Sequence, residues 1–303
     1  VFGIGGGGDV VGAVPTARLL HDHGVETTLG GVAWERVPYD EKPGPRSLDE
    51  VRNIEKVNDT FGFAGPDTRT KDGTVFTETR VARHYGEEVA LIDITDGYEG
   101  VELGLKGACD EMGFDLVVGV DSGGDVLARG DEDGVESPLA DGIALAVLDG
   151  FESSSETAAM LGVFGYGSDG ELTLEELDEG IRRAASRDGL LGAWGLTPRT
   201  LDEMGSLLDR IGTTEASRLP VEAARGEMGE REIRDGARTV RLTPASATTF
   251  YLSPGSVSRT SRISEHVRKT TNIEEAHERL RSEGMTTELD VENERLDGED
   301  TDV

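Results

Sequence analysis

Apolar residues in this chain gather in short blocks separated by polar, glycine-rich turns. Val89-Ala90-Leu91-Ile92, Leu116-Val117-Val118-Gly119-Val120 and Met160-Leu161-Gly162-Val163-Phe164 are continuous apolar runs of strand length. That is the pattern of strands covered on both faces. It predicts strands over Glu88–Ile94, Asp115–Val120 and Ala158–Phe164, with Val1–Ile4 and Val25–Ala33 before them. Between the strands, helices are predicted at Val14–His23, Thr77–Tyr85, Glu99–Met112 and Leu139–Leu148, with Gly24 and Gly113 as stop signals. Ser47-Leu48-Asp49-Glu50 reads as a capping box opening a helix to about Asn58. Strands alternating with helices imply a parallel sheet. The expected fold is α/β: a three-layer α/β/α, Rossmann-like, mostly parallel doubly wound sheet.

The texture changes after Gly167. Helices are predicted at Leu174–Ser186, Pro198–Arg210 and Glu215–Arg225, the second with Thr197 as cap and Pro198 at its first position. Arg231–Arg234 and Arg238–Leu242 flank Asp235-Gly236, a hairpin turn signal. Thr248–Leu252 is a further strand, and Asn272-Ile273-Glu274-Glu275 caps a last helix to about Glu283. These elements suggest a core over 1–170 with a Gly/Asp-rich ligand edge. A helical and β-hairpin extension over 171–292 would pack on it, followed by an acidic, disordered tail over 293–303.

Charge changes the picture of partners. Sixty-one acidic residues against 30 basic ones give a net charge of −31. A basic stripe is the footprint of nucleic-acid binding, and anionic membranes attract basic segments; neither partner is expected. Only five of the basic residues are lysine (42, 56, 71, 106 and 269). An acidic, lysine-poor, patterned chain suits the cytoplasm of a salt-loaded halophile, where molar salt shortens the Debye length to about 3 Å. The single Cys109 permits no internal disulfide and reads as a small core residue. No apolar run approaches the length of a membrane-spanning helix, and no signal peptide is visible. Val1 falls inside an expected strand, so a few earlier residues are expected to precede it.

Candidate chemistry sits in loops that follow strands. Gly3-Ile4-Gly5-Gly6-Gly7-Gly8-Asp9 lies between a strand and a helix. Glycines there bring backbone amides and a helix N-terminus toward an anion, so Gly5, Gly6, Gly7, Gly8 and Asp9 are ligand-binding candidates. The run contains G-x-G-x-x-G from Gly3 to Gly8. The dinucleotide fingerprint wants an acid about 20 residues on; Glu35 is the nearest candidate. No Walker-type phosphate loop is present.

Asp121-Ser122-Gly123-Gly124-Asp125 ends the most strand-like segment, so Ser122, Gly123 and Gly124 join the ligand candidates. Asp96, after the preceding strand, and Gly165 and Gly167, in Gly165-Tyr166-Gly167-Ser168-Asp169-Gly170-Glu171 after the next, are ligand-binding candidates as well. That last loop imitates half of a calcium hand, but Thr173 and Glu176 are better explained as a capping box. Carboxylates gathered on one edge repel one another unless a cation or protonation relieves them. Asp121, Asp125 and Asp169 are therefore the candidate Mg2+ ligands, with Asp121 and Asp125 also the catalytic candidates. Arg36 and Arg46 are candidate anion clamps. The histidines lack ligand spacing.

The glycine run with Asp9, Trp34-Glu35-Arg36, Pro43-Gly44-Pro45-Arg46, Val120–Asp125 and Gly165–Glu171 resemble an uncharacterised, mainly archaeal family, domain-of-unknown-function family 1152. The resemblance covers nearly the whole chain except the acidic tail. It implies archaeal origin and supplies no activity. The glycine run is also similar to the first nucleotide loop of tubulin-like cell-division GTPases. Their second Gly-Gly-Gly-Thr-Gly loop is not matched by Ser122-Gly123-Gly124-Asp125, which points to convergence on phosphate cradling.

The expectation is an enzyme, metal-assisted, binding an anionic small molecule that is phosphorylated or nucleotide-like. The alternatives are an NAD(P)- or FAD-dependent oxidoreductase and a non-enzymatic binding or regulatory module.

Overall fold

A computed structural model describes residues 1–37, 39–154, 156–212, 215–234 and 236–299. It is a mixed α/β structure with eleven α-helices among the described residues. Its centre is a nine-stranded sheet. In spatial order the strands are Leu190–Gly195, Thr248–Leu252, Ala158–Phe164, Leu116–Ser122, Phe2–Gly3, Gly30–Val32, Val89–Ile92, Phe61–Thr70 and Val51–Lys56. The five from Ala158–Phe164 to Val89–Ile92 are parallel. The outer two on each side are antiparallel to their neighbours. Numbered along the chain, the parallel strands stand in the order 5-4-1-2-3. The order reverses between Phe2–Gly3 and Leu116–Ser122, which leaves a crevice beyond their carboxyl ends.

Alternation along the strands explains the double covering. Val118 and Val120 pack with Val10, Val11 and Val14 of helix Asp9–Asp22 and with Leu207 of helix Pro198–Ile211. Val117, one residue out of phase, packs with Leu145, Leu148 and Phe151 of helix Pro138–Ser154. Each fully buried side chain of this size contributes about 1.5–3 kcal/mol. Gly3 is demanded by packing: a Cβ there would strike the Asp9 backbone. Cys109 is buried and free, as a core residue.

Several elements differ from expectation. Helix Asp9–Asp22 begins at the glycine loop itself, and the second strand is only Gly30–Val32. Ser47 does cap, accepting the Asp49 amide at 3.3 Å, but only a single 3-10 turn, Leu48–Glu50, follows. The expected helix to Asn58 is instead strand Val51–Lys56, paired with Phe61–Thr70. Long-range pairing supplies the hydrogen bonds that local propensity assigned to a helix. Phe61–Thr70 itself has no strand signal, because Gly62, Gly65 and Pro66 interrupt it. Pro66 lies in the irregular stretch between Ala64 and Arg69, where no ladder bond is needed.

The expected hairpin is Gly229–Ile233 with Arg238–Leu242. Of its turn, Asp235 lies outside the described residues. Leu190–Gly195 is a strand that the pattern does not announce. Helix Glu288–Glu299 occupies most of the stretch expected as a disordered tail; residues 300–303 lie outside the described residues. Among the described residues, no helix is long and apolar enough to cross a membrane.

Candidate functional site

The carboxyl ends of the parallel strands open into a cavity of about 1050 Å³. Ten acidic residues and four arginines line it among the described residues. Asp9 enters from the first turn of helix Asp9–Asp22, and its Oδ2 accepts the Gly5 amide at 2.8 Å. Asp121 is the second-last residue of Leu116–Ser122, and its Oδ2 accepts the Val126 amide at 3.3 Å. Asp125 opens a 3-10 turn reached through Gly123 and Gly124 at φ 135° and 124°. Left-handed φ of that size suits only glycine. Asp141 comes from the first turn of helix Pro138–Ser154, and Asp169 and Glu171 from the loop after Phe164.

These acids form two groups. Asp9, Asp121 and Asp141 each bring a carboxylate oxygen within 4.8 Å of the others, and Asp125, Asp169 and Glu171 do the same. Asp121, Asp125, Asp141, Asp169 and Glu171 are all buried. Asp141 Oδ1 and Asp169 Oδ2 are buried without a hydrogen-bond partner among the described residues. An unsatisfied buried carboxylate oxygen is costly.

Electrostatics follow. Burial raises the Asp9 pKa to about 6, against the Gly5 amide and the Arg36 charge, which lower it. Burial, then the charges of Asp9 and Asp169, push Asp121 well above the usual carboxylate range. Asp141 is pushed up by burial, then by Asp125, Asp121 and Asp9. Asp125 and Asp169 rise for the same two reasons, with Asp121 and Asp125 respectively as their leading neighbours. Protons or a bound cation relieve such a cluster.

The cationic groups are placed around it. Arg36 donates from Nη2 to the Gly5 carbonyl at 2.9 Å, lies over the Trp34 ring at 4.8 Å, and stands 3.7 Å from Glu292. Arg234 and Arg238, from the hairpin, both pair with Glu136 at 2.8 Å. Helix Glu288–Glu299 lines the cavity through Glu288, Val291, Glu292, Glu294 and Arg295. Glu288 accepts the Leu139 and Ala140 amides at 2.8 and 2.9 Å, capping helix Pro138–Ser154.

Of the residues singled out in the sequence, Gly5, Gly6, Gly8, Asp9, Arg36, Asp121, Ser122, Asp125 and Asp169 line the cavity. Among the described residues, the Gly6 and Gly8 amides find no acceptor. Gly7, Gly123, Gly124, Gly165 and Gly167 are not in the lining. The Gly7 amide is taken by the Trp34 carbonyl at 2.7 Å. Gly123 abuts Asp169, Gly124 abuts Leu177, Gly165 abuts Pro220, and Gly167 abuts Leu174, so these glycines serve close packing.

Asp96 is exposed at the start of helix Gly97–Met112, away from the cavity. Arg46 is buried against Asp40 at 2.7 Å instead of facing a ligand. Glu35 is buried and accepts the Thr77 amide, so its carboxylate is not presented to a ribose. Glu176 accepts from the Thr173 amide and hydroxyl, a capping box and not a calcium ligand.

The Asp121, Asp125, Asp169 set is divided between the two groups, and Asp141, Glu171, Glu288 and Glu292 complete the site unannounced. One signal for Asp141 existed. It is the only charge in Pro138–Leu148, an otherwise apolar helical stretch.

The fold and cavity define a mixed α/β protein with an acid-rich site at the carboxyl edge of a mostly parallel sheet. A family model described as a protein of unknown function (DUF1152) matches residues 1–296. The chain belongs to that family. No curated protein and no solved structure matches it.

Proposed function

We propose that this protein is a metal-assisted enzyme acting on a phosphorylated or nucleotide-like small molecule. The observation that carries the reading is the Asp9, Asp121, Asp141 group, with Asp141 Oδ1 buried and unpartnered. Carboxylate oxygens are the donors of hard divalent cations such as Mg2+. Such a cation would neutralise charge on a phosphate and lower the pKa of a bound water.

The chain's own groups supply the rest. The Gly6 and Gly8 amides and the start of helix Asp9–Asp22 polarise the site toward an anion. Arg36, held over Trp34, is the clamp for a phosphate. Asp121 and Asp125, which line the cavity at the end of strand Leu116–Ser122 and in the turn after it, would hold the ion or orient an attacking hydroxyl.

The order 5-4-1-2-3 with apolar clusters on both sheet faces supports a three-layer, Rossmann-like core to about residue 170. The region after it joins the same sheet through strands Thr248–Leu252 and Leu190–Gly195 and adds the further helices and the hairpin. The lysine-poor acidity supports a halophile's cytoplasm as its setting.

Thermal unfolding at molar KCl tests the function. Mg2+ or Mn2+ is expected to raise the midpoint, and a nucleotide or sugar phosphate to raise it further. Absence of stabilisation by any divalent cation overturns the reading. Stabilisation and tight binding without turnover of any phosphorylated compound would instead favour a binding module.

A further inference from the structure

Asp125, Asp169 and Glu171 sit beside the group assigned above to a cation, and their geometry asks for a separate occupant. One carboxylate oxygen from each lies within 4.8 Å of the other two. Asp169 is 8% exposed. Its Oδ1 accepts the Glu171 amide at 3.3 Å, while its Oδ2 is buried and has no partner among the described residues. That free oxygen belongs to a residue lining the cavity. It is independent of the unpartnered Asp141 oxygen in the first group.

The surrounding shell is built to orient this group. Glu171 Oε2 accepts the Glu136 and Ser137 amides at 2.7 and 3.0 Å. The Ser137 hydroxyl lies 2.7 Å from Glu171 Oε1 and 3.1 Å from Asp125 Oδ2. Outer groups that fix the rotamers of carboxylate ligands are a recurring feature of metal centres.

We propose that Asp125, Asp169 and Glu171 form a second divalent-cation site, so that the cavity holds a cation pair and takes a ligand whose phosphate oxygens bridge it. The proposal rests on the reading of Asp9, Asp121 and Asp141 as the first site. Asp121 and Asp125 are separated only by the Ser122-Gly123-Gly124 turn and bear electrostatically on one another, which joins the two groups into one centre. Paired cations are used for phosphoester and phosphoanhydride substrates, because one ion alone neutralises only part of the phosphate charge. The ligand class is therefore a phosphoester or phosphoanhydride of a small molecule.

Charge balance ranks the two sites. Arg234 and Arg238 approach Glu171 Oε1 at 3.2 and 3.9 Å, offsetting part of its charge. Asp9, Asp121 and Asp141 have Glu288 as a further acid near them and only Arg36 as the cation that lowers the Asp9 pKa. The second ion is expected to bind at least tenfold more weakly than the first.

Manganese binding to the full chain, by equilibrium dialysis and electron paramagnetic resonance at molar KCl, tests this. High salt screens loose binding to the acidic surface. The expected result is two Mn2+ per chain with a spin-coupled signal, one in Asp169→Asn and one in Asp141→Asn. One uncoupled Mn2+ in the wild type, lost in Asp141→Asn and kept in Asp169→Asn, overturns the second site and leaves the first intact. No Mn2+ in the wild type overturns both. The wild-type stoichiometry decides even where a variant fails to fold.

Discussion

The Asp9 carboxylate accepts the backbone amide of Gly5 at 2.8 Å, so the glycine loop is closed by an acid from its own sequence. A loop of this kind ordinarily turns its amides toward a ligand's negative charge. Here one amide is already spent on a carboxylate that also belongs to a cation group. The loop thus carries both signs: amides at Gly6 and Gly8, and a fixed acid at Asp9.

Asp9→Asn separates these two roles. The side-chain carbonyl still accepts the Gly5 amide, so the fold is retained. One partly buried charge is removed, so the metal-free midpoint is expected to rise by a few degrees, which is about 1 kcal/mol. Affinity for Mg2+ is expected to fall at least tenfold. Calorimetric titration and thermal melts check both; unchanged Mg2+ affinity would remove Asp9 from the site.

The pH dependence has a defined sign. Unfolded aspartate titrates near about 3.9, whereas Asp9 is raised to about 6 and Asp121 and Asp141 are raised well above their usual value. An acid with a raised folded pKa is destabilising once ionised, so stability is lost as pH rises through the folded value. The metal-free protein is expected to melt higher at pH 5 than at pH 8. Saturating Mg2+ should flatten that slope, because the cation replaces the protons. Melting curves across pH, with chelator and with Mg2+, give the answer.

Glu288 ties the last helix to the site. Glu288→Ala would leave the Leu139 and Ala140 amides buried without acceptors, at a cost of about 2–4 kcal/mol. Urea unfolding should show that loss. Limited proteolysis should cut within 288–299 faster than in the wild type. An unchanged urea midpoint would mean that the cap is dispensable.

Arg36 is expected to govern the anion and not the cation. Arg36→Ala removes the guanidinium held over Trp34 and near Glu292. Affinity for a phosphorylated ligand should fall about tenfold, or about 1.4 kcal/mol, while Mg2+ affinity should hold or rise, because a positive charge acting on Asp9 is gone. A parallel loss of both would place Arg36 in the scaffold of the loop.

Asp96→Asn serves as the contrast. The residue is exposed and outside the cavity, so Mg2+ affinity and ligand affinity should both stay unchanged in the same titrations.

Much of the fold is legible in the sequence, for local reasons. The runs Ala158–Phe164 and Leu116–Val120 are apolar on both faces, and only a covered strand tolerates that. Thr173 with Glu176, Thr197 with Pro198 and Asn272 with Glu275 announce helix starts, because capping is settled within four residues. Asp9, Asp121, Asp125 and Asp169 are visible as acids in loops after strands. Asp96 shares that description and still lies outside the cavity, since a turn and a ligand loop use the same residues.

Composition and periodicity determined the class of fold, the strand-end position of the acids and the absence of a basic footprint, because each depends on residues close in the chain or on their total. Pairing and partnership were decided only in three dimensions. Val51–Lys56 became a strand because Phe61–Thr70 satisfies its backbone. Asp141 joined Asp9 and Asp121 from 132 and 20 residues away, and Glu288 reached back to Leu139 across 149 residues. Arg46 went to Asp40 and Glu35 to Thr77 rather than to a ligand. A side chain's charge is written in its own residue, but what that charge faces depends on which distant segments the sheet order and helix packing bring beside it.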